Sequence, residues 1–406
     1  MDSLAVWLYG IHTATIEHER GRLRLSYTEQ ALERYQLGTP LLSLSLPLAR
    51  QRYPHGVVRP FLDGLLPEGD QRTAIANDVR VSRDDSYGLI RELGRDCAGA
   101  LVIQPDDEPA PPPASTLTAE PLSNEDIVRL VDNLRSAPLG IGDRVRISLA
   151  GVQEKLLLTR MPDGRWGRPV DGTPSTHILK PEIARYPNTV ENEVFCMRFA
   201  RHLDVPVAHV EAMTVNGRRL IVVERYDRTI RADGSVERIH QEDFCQATGT
   251  PTDKKYEEDG GPSLRQLAGI LQSAAASDSL DTLLRAVTLN VLIGNGDAHG
   301  KNFSIVHDEF GALRLAPLYD LMSTLSYGDD HLAMCVDSLQ RMDRVTADRL
   351  VNEAEAWGIS RRRATEIVDD IIDRAPAAAG AAANETDGVP PDIRQVLDGQ
   401  LTRMRR

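Results

Sequence analysis

Gly296-Asp297-Ala298-His299-Gly300-Lys301-Asn302 places four residues between Asp297 and Asn302, and the apolar run Leu315-Ala316-Pro317-Leu318-Tyr319 then ends on Asp320. An Asp, four residues, an Asn and a later Asp form the order used for ATP-dependent phosphoryl transfer. One carboxylate accepts the proton of a substrate hydroxyl, and the amide and second carboxylate hold a divalent cation against the phosphates. Oxygen ligands suit Mg²⁺, which takes few protein ligands and completes its shell with phosphate and water. An isolated Asp-x4-Asn also arises by chance in polar loops. What favours chemistry is the context: an apolar helix pattern before the loop and an Asp closing an apolar run after it.

The rest of the chain narrows the class. At 406 residues it exceeds the size of a single core, so two or three compact units are expected. A net charge of −13 argues against a protein devoted to coating nucleic acid. Arg361-Arg362-Arg363 and Arg403 to Arg406 read as a solvated helix face and a frayed tail. Cys97, Cys196, Cys245 and Cys335 lie far apart and form no C-x-x-C pair, which fits structural thiols in a reducing compartment. Neither a signal peptide nor a membrane-length apolar run is visible, so a cytoplasmic location without membrane contact is expected.

Residues 1–104 begin with strand-like segments, Leu4 to Gly10 and the alternating Arg22 to Tyr27, and Phe61 to Gly69 then reads as a turn. Residues 105–120 are rich in Pro and poor in apolar residues, the composition of a linker. Within 121–228, Ser123 with Asp126 three residues on is a capping-box variant. Residues 144–160 read as strand, turn, strand, and Thr176 to Lys180 as a short strand ended by Pro181. An amphipathic helix is expected from about Thr189 to Leu203, with Val190, Val194 and Met197 on one stripe, and a buried strand from Leu220 to Tyr226. Residues 229–406 are mainly helical. A helix beginning near Ser279 carries Leu280, Leu283, Leu284, Val287 and Val291 on one face and delivers the chain to Gly294, while Ala375 to Ala383 looks like a flexible connection.

Other residues acquire a role from that frame. Lys180 at a strand end is either a surface lysine or the point charge that meets nucleotide phosphates, held by Glu191 or, preferably, Glu193 on the next helix. Ser148 to Lys155 has one glycine and matches neither G-x-G-x-x-G nor the P-loop; composition alone favours a hairpin turn, although Ala150 and Gly151 permit close backbone approach to a phosphate. His299 is a phosphate contact or a structural hydrogen-bonding residue, and Lys301 a solvated or phosphate-facing charge. His240 to Gln246 combines His, acids and Cys, but its spacing fits no zinc ligand set, and a helix start near Glu242 is preferred.

The chain resembles the HipA-like serine/threonine kinases, the toxins of bacterial type II toxin–antitoxin modules, over nearly its whole length. The resemblance rests on FLDGLLP (61–67), SLAGVQEK (148–155), THILK (176–180), NEVF (192–195), VERYDR (223–228), HQEDFCQ (240–246), KYEEDGGP (255–262), IGNGDAHGKNF (293–303) and PLYD (317–320). It implies an α+β, two-lobed protein-kinase-like fold with an N-terminal β-rich subdomain and a helical C-terminal lobe. It also implies Asp297 as base and Asn302 and Asp320 as Mg²⁺ ligands. Lys180 would meet ATP phosphates, Ala150, Gly151, Val152, Gln153, Glu154 and Lys155 would form the nucleotide loop, and Glu224, Arg225 and Tyr226 the adenine hinge. His299 and Lys301 fall in the nucleotide-binding set. Ser148 looks like the family's self-phosphorylated serine, with Arg144 or Arg146 able to capture the displaced phosphate. The implied partners are ATP, a protein substrate such as an aminoacyl-tRNA synthetase, a small helix-turn-helix antitoxin of HipB type, and DNA only through that antitoxin. A small-molecule phosphotransferase and a kinase-like corepressor are the competing readings.

Overall fold

The computed structural model describes residues 3–111, 115–116, 118–140, 147–170, 172–274, 279–308 and 312–405. Arg144 and Arg146 therefore lie outside the described residues. The chain opens with β1 (Ser3–Leu8), β2 (Ile11–Glu19) and β3 (Arg22–Tyr27), followed by α1 (Glu29–Arg34), α2 (His55–Leu65), α3 (Gly69–Asp78), α4 (Ser86–Leu93) and β4 (Leu101–Pro105). The strands form one antiparallel sheet in the order β3-β2-β1-β4. Its alternating inward residues, among them Leu4, Val6, Ile16, Leu23 and Leu25, pack with Phe61, Leu62 and Leu65 of α2 in one core. Phe61 to Leu65, read from sequence as part of a turn, is the last turn of α2: Val58, Phe61, Leu62 and Leu65 are buried, so packing overrides the Gly and Pro signals nearby.

A second sheet has six strands. The chain runs on through β5 (Ser115–Thr116), β6 (Ala119–Pro121), α5 (Asn124–Asp132), β7 (Leu156–Arg160), β8 (Trp166–Pro169), β9 (His177–Pro181), α6 (Thr189–His202), β10 (Val210–Val215) and β11 (Arg218–Glu224), and all of these strands except β5 form that sheet, in the order β10-β11-β9-β7-β8-β6. Ser115–Thr116 and Ala119–Pro121 fall inside the Pro-rich stretch, and the latter pairs with β8. The capping box of Ser123 and Asp126 opens α5 as its sequence requires. Of the strand–turn–strand expected over 144–160, residues 144–146 lie outside the described residues, and only the second strand is seen among the rest. Leu156–Arg160 is a strand, but Ile147 makes just an isolated bridge to Asp96, and the segment between is an open loop. The physical reason is that its backbone bonds to the N-terminal unit and not to β7.

The chain continues through β12 (Arg228–Ile230), β13 (Ser235–Arg238), β14 (His240–Asp243), α7 (Phe244–Thr248), α8 (Leu264–Ser273), α9 (Ser279–Ile293), β15 (Ser304–His307), β16 (Leu313–Leu315), β17 (His331–Val336), β18 (Leu339–Arg341), α10 (Ala347–Ala356), α11 (Arg361–Glu385) and α12 (Pro391–Met404). Helices α8 to α12 share one large core centred on α9, whose Leu283, Leu284, Val287, Leu289 and Val291 are buried. Two expectations are corrected here. Ala375 to Ala383 is no flexible connection but part of α11, because Ala375, Ala378 and Ala382 are small enough for close packing. The chain end is not frayed through Met404, which is itself buried in α12. The helix expected near Glu242 starts one residue later, where Asp243 caps α7 reciprocally with Gln246. Among the described residues no helix is long and apolar enough to cross a membrane.

A nucleotide-sized cleft as the candidate active site

Helix α9 ends and the chain turns through Asn295 into the loop that carries Asp297. Asn295 ties it back, donating to Asn290 Oδ1 at 2.8 Å and accepting from Asp297 N at 3.1 Å. Gly296 N donates to Thr324 Oγ1 at 2.7 Å, and a Cβ on Gly296 would meet His331 O at 2.4 Å, so only glycine fits. Asn302 Nδ2 donates to Asp297 O at 2.8 Å, which closes the loop on itself. The four residues between Asp297 and Asn302 are thus one hydrogen-bonded turn.

Strand β9 brings Lys180 to the same place. Its Nζ lies 2.8 Å from Glu193 Oε1 on α6 and 2.7 Å from Asp320 Oδ1. Of the two glutamates weighed from sequence, Glu193 is the partner, while Glu191 pairs with Arg219 at 2.8 Å. Asn192 fixes the relation of helix to loop, donating to Ser323 O and accepting from Ser323 N at 3.0 and 2.9 Å. Burial works against the Lys180 charge, but Asp320 and Glu193 outweigh it and hold the ammonium above its ordinary pKa. Asp320, despite burial, is held down at about 2, chiefly by Lys180. Its backbone sits in the left-handed region (φ 59°), a conformation that Asp tolerates and that marks functional loops.

These groups line a cavity of about 590 Å³, together with Ala150 to Lys155, Glu224 to Tyr226, His299, Lys301 and Asn302. Asp297 has its pKa raised by burial, opposed by a hydrogen bond from Tyr256 Oη to Oδ1 at 2.6 Å. His299 is buried, its Nδ1 has no partner among the described residues, and burial followed by the charges of Lys255 and Lys301 pushes it down to about 3. Lys301 is salt-bridged to Asp243 at 2.8 Å, so it is neither solvated nor free for catalysis. Lys155 is pushed down to about 8 by burial and by Lys180, and donates to Ala150 O at 3.0 Å. The N–H groups of Glu224 and Arg225 bond to His209 O (2.9 Å) and Thr176 O (3.0 Å), and that of Tyr226 makes no hydrogen bond to a described residue. The Arg225 side chain turns away into a buried network with Asp227 and Asp96. Ser148 does not line the cavity: it is fully buried and donates to Leu65 O at 2.6 Å.

The donor set suits a divalent cation of oxygen preference: the carboxylate of Asp320 and the amide oxygen of Asn302, whose Nδ2 is already engaged. No group of three or more His, Cys, Asp or Glu residues able to form a protein cage occurs among the described residues. Two oxygen donors beside space for phosphates is the arrangement that a metal keeping phosphate and water ligands needs.

The family model described as HipA-like C-terminal domain matches residues 147–379, and that described as HipA N-terminal domain matches residues 4–104. The chain belongs to the HipA family. Among relatives, "Putative kinase Y4mE" of Sinorhizobium fredii is 42% identical over 90% of this chain and 89% of its own length. The serine/threonine-protein kinase toxin HipA of Shewanella oneidensis is 32% identical over 78% of this chain and 75% of its own length. A solved complex of Shewanella oneidensis HipA with HipB and its operator DNA superposes with a TM-score of 0.84 at 27% identity, covering 99% of this chain and 95% of that one. The HipA likeness accounts for the kinase-like α+β fold and supports a kinase, and kinase-like homologues imply ATP use with a divalent metal. Sequence reasoning missed Tyr256, Asp243 and Glu68, which contact Asp297 or Lys301. Tyr256 and Asp243 lie in the quoted segments KYEEDGGP and HQEDFCQ, but only the fold brings them to the loop.

Proposed function

We propose that this HipA-family protein is an ATP- and Mg²⁺-dependent protein serine/threonine kinase and the toxin of a type II module. The observation that carries the reading is the contact of Lys180 with both Glu193 and Asp320 in the cavity that holds Asp297. Asp297 accepts the proton of the acceptor hydroxyl, and Lys180 with the nucleotide loop holds the phosphates. Asn302 and Asp320 would hold the cation, which supplies neutralisation of phosphate charge when bound. Glu224 to Tyr226 serve as hinge, with the Tyr226 N–H facing adenine, and His299 and Lys301 complete the nucleotide surroundings.

The protein substrate is translation-related, such as an aminoacyl-tRNA synthetase, and the partner is a helix-turn-helix antitoxin of HipB type that brings the pair to DNA. This part rests on the family and on the complex known for the Shewanella oneidensis protein. Ser148 is the self-phosphorylated residue. Because its hydroxyl is buried against Leu65 O, the loop has to leave that place before the hydroxyl takes phosphate, and about −1.5 to −2 added charges then prevent its return. Radiolabelled ATP supplied to the protein alone tests the reading. Label on Ser148, abolished in Asp297→Ala, supports it; label only on an added metabolite, or antitoxin binding without any turnover, overturns it.

A further inference from the structure

The nucleotide loop is fastened from outside the kinase core. Ser148 Oγ donates to Leu65 O at 2.6 Å, Glu68 N donates to Gly151 O at 3.2 Å, and Gln71 Nε2 donates to Val152 O at 2.5 Å. Pro67 and Gly151 also form a parallel bridge. All three partners belong to one short stretch of the N-terminal unit, the end of α2 and the start of α3. From the same stretch, the Glu68 carboxylate enters the cleft, 3.6 Å from Lys301 Nζ and 3.9 Å from Lys255 Nζ. Gln71 lies outside the cavity lining and is buried, so its amide has no evident task except the Val152 carbonyl.

We infer that Gln71 is a positioning residue for nucleotide binding, the pin of a latch through which the N-terminal unit holds loop 148–155 in its phosphate-binding position. The chemistry is a matter of carbonyl direction. A loop whose N–H groups are to face phosphate has to dispose of its carbonyls elsewhere, because a carbonyl oxygen turned toward phosphate repels it. Leu65 to Gln71 receives those of Gly151 and Val152. Without the latch the loop samples other conformations, and the apparent affinity for nucleotide falls with the fraction still in place. Any ligand that shifts residues 65–71 would therefore be felt as a change in ATP affinity without touching the cleft.

The inference rests on the nucleotide-loop reading, and the experiment separates the two. In the full-length protein, Gln71→Glu keeps size but replaces the donor with a carboxylate that repels the Val152 carbonyl, and Gln71→Ala removes the group. One net hydrogen bond corresponds to roughly a three- to tenfold rise in the MgATP dissociation constant by calorimetry. Without nucleotide, amide exchange should accelerate at 149–155 and stay at its wild-type rate in α9, with the turnover number changing less than KM. Unchanged affinity and unchanged loop exchange overturn the latch, as does acceleration spread evenly through α9, the mark of general destabilisation. If MgATP fails to slow loop exchange in the wild-type protein, the nucleotide-loop reading falls; the latch is still decided by the nucleotide-free exchange.

Discussion

Two loops meet at the cleft, and they are held in opposite ways. The Asp297 loop is secured from within the helical lobe: Asn290, Asn295, Asn302 and Thr324 supply its bonds, and Gly296 fits where no side chain could. The Ser148–Lys155 loop is tied to Leu65, Glu68, Gln71 and Asp96, about eighty residues earlier in several cases, as the separation of 83 between Ser148 and Leu65 shows, and only its far end bonds nearer in sequence, to Arg135 and Leu139. The first is rigid by local design. The second is as firm as the seam between units, so it is the natural place for control. Each prediction below strikes one loop and asks whether the other notices.

The largest effect belongs to the self-contained loop. Asp297→Ala removes the base and should lower turnover by roughly 10²–10⁴-fold. MgATP affinity and exchange at 149–155 should stay near wild type. Near-normal phosphorylation, measured with labelled ATP, would sink the assignment of the base.

Next comes the seam. Asp96 is fully buried, its Oδ1 lies 2.8 Å from Arg228, its Oδ2 lies 3.4 Å from Arg225 and 2.7 Å from Ser175 Oγ, and its carbonyl accepts from Ser148 N at 3.0 Å. The arginines hold its carboxyl below the usual range, although burial opposes them. Asp96→Ala leaves buried guanidinium groups uncompensated and should cost about 3–5 kcal/mol in a urea titration. The 149–155 loop should loosen while Asp297 stays ordered. A variant of wild-type stability would mean that the seam is not what fastens the loop.

Acid offers a gentler way to the same seam. His240, in β14, donates from Nε2 to Leu42 O at 3.0 Å, and burial followed by the His307 charge pushes it down to about 3. The unfolded chain binds that proton below about 6.5, the folded one only near 3. Stability from this group is therefore complete above pH 6.5 and falls as pH falls, by about 2 kcal/mol at pH 5. His240→Gln should lose that much less between pH 7 and pH 5 than wild type does. Equal pH dependence of the two proteins would refute the buried neutral imidazole.

The contrast between the loops also explains what was legible in the sequence. Asp297, Asn302 and Asp320 could be picked out as candidates because local order fixes one turn and the segment that follows β16, and Lys180 because a strand terminus and the following helix are near neighbours. The capping box at Ser123 announces itself within four residues, whereas the cap of α7 was expected near Glu242 and is Asp243. The 148–155 loop, by contrast, looked like a hairpin, since nothing in it records that its partners include residues 65 to 71. The α11 alanines misled for a related reason: a small-residue tract is compatible with flexibility until a neighbouring helix closes on it. Glu68 and Tyr256 were silent because their meaning lies in which lysine or carboxylate the fold delivers to them.

The smallest effect sharpens the comparison most. Gly151 has φ +117°, a backbone region that side chains rarely adopt, and a Cβ there would meet Lys155 Nζ at 2.5 Å. The ammonium sits at the end of a flexible stem and can yield, so the steric term is minor and the backbone term decides. For Gly151→Ala that term is about 1–2 kcal/mol against the latched conformation. An unlatched loop is not bound to that φ, so the substitution moves population from latched to free without unfolding the protein. Apparent MgATP affinity should fall by up to roughly five- to thirtyfold, with the unfolding midpoint almost unmoved. Combining it with Gln71→Ala distinguishes one equilibrium from two. If both changes act on the same latch, their effects on the latching equilibrium multiply, so once the loop is largely free the second lowers the fraction in place, and with it the apparent affinity, by its own full factor. A double variant that binds MgATP no more weakly than the weaker single variant would mean that glycine and glutamine do not act on one latching equilibrium.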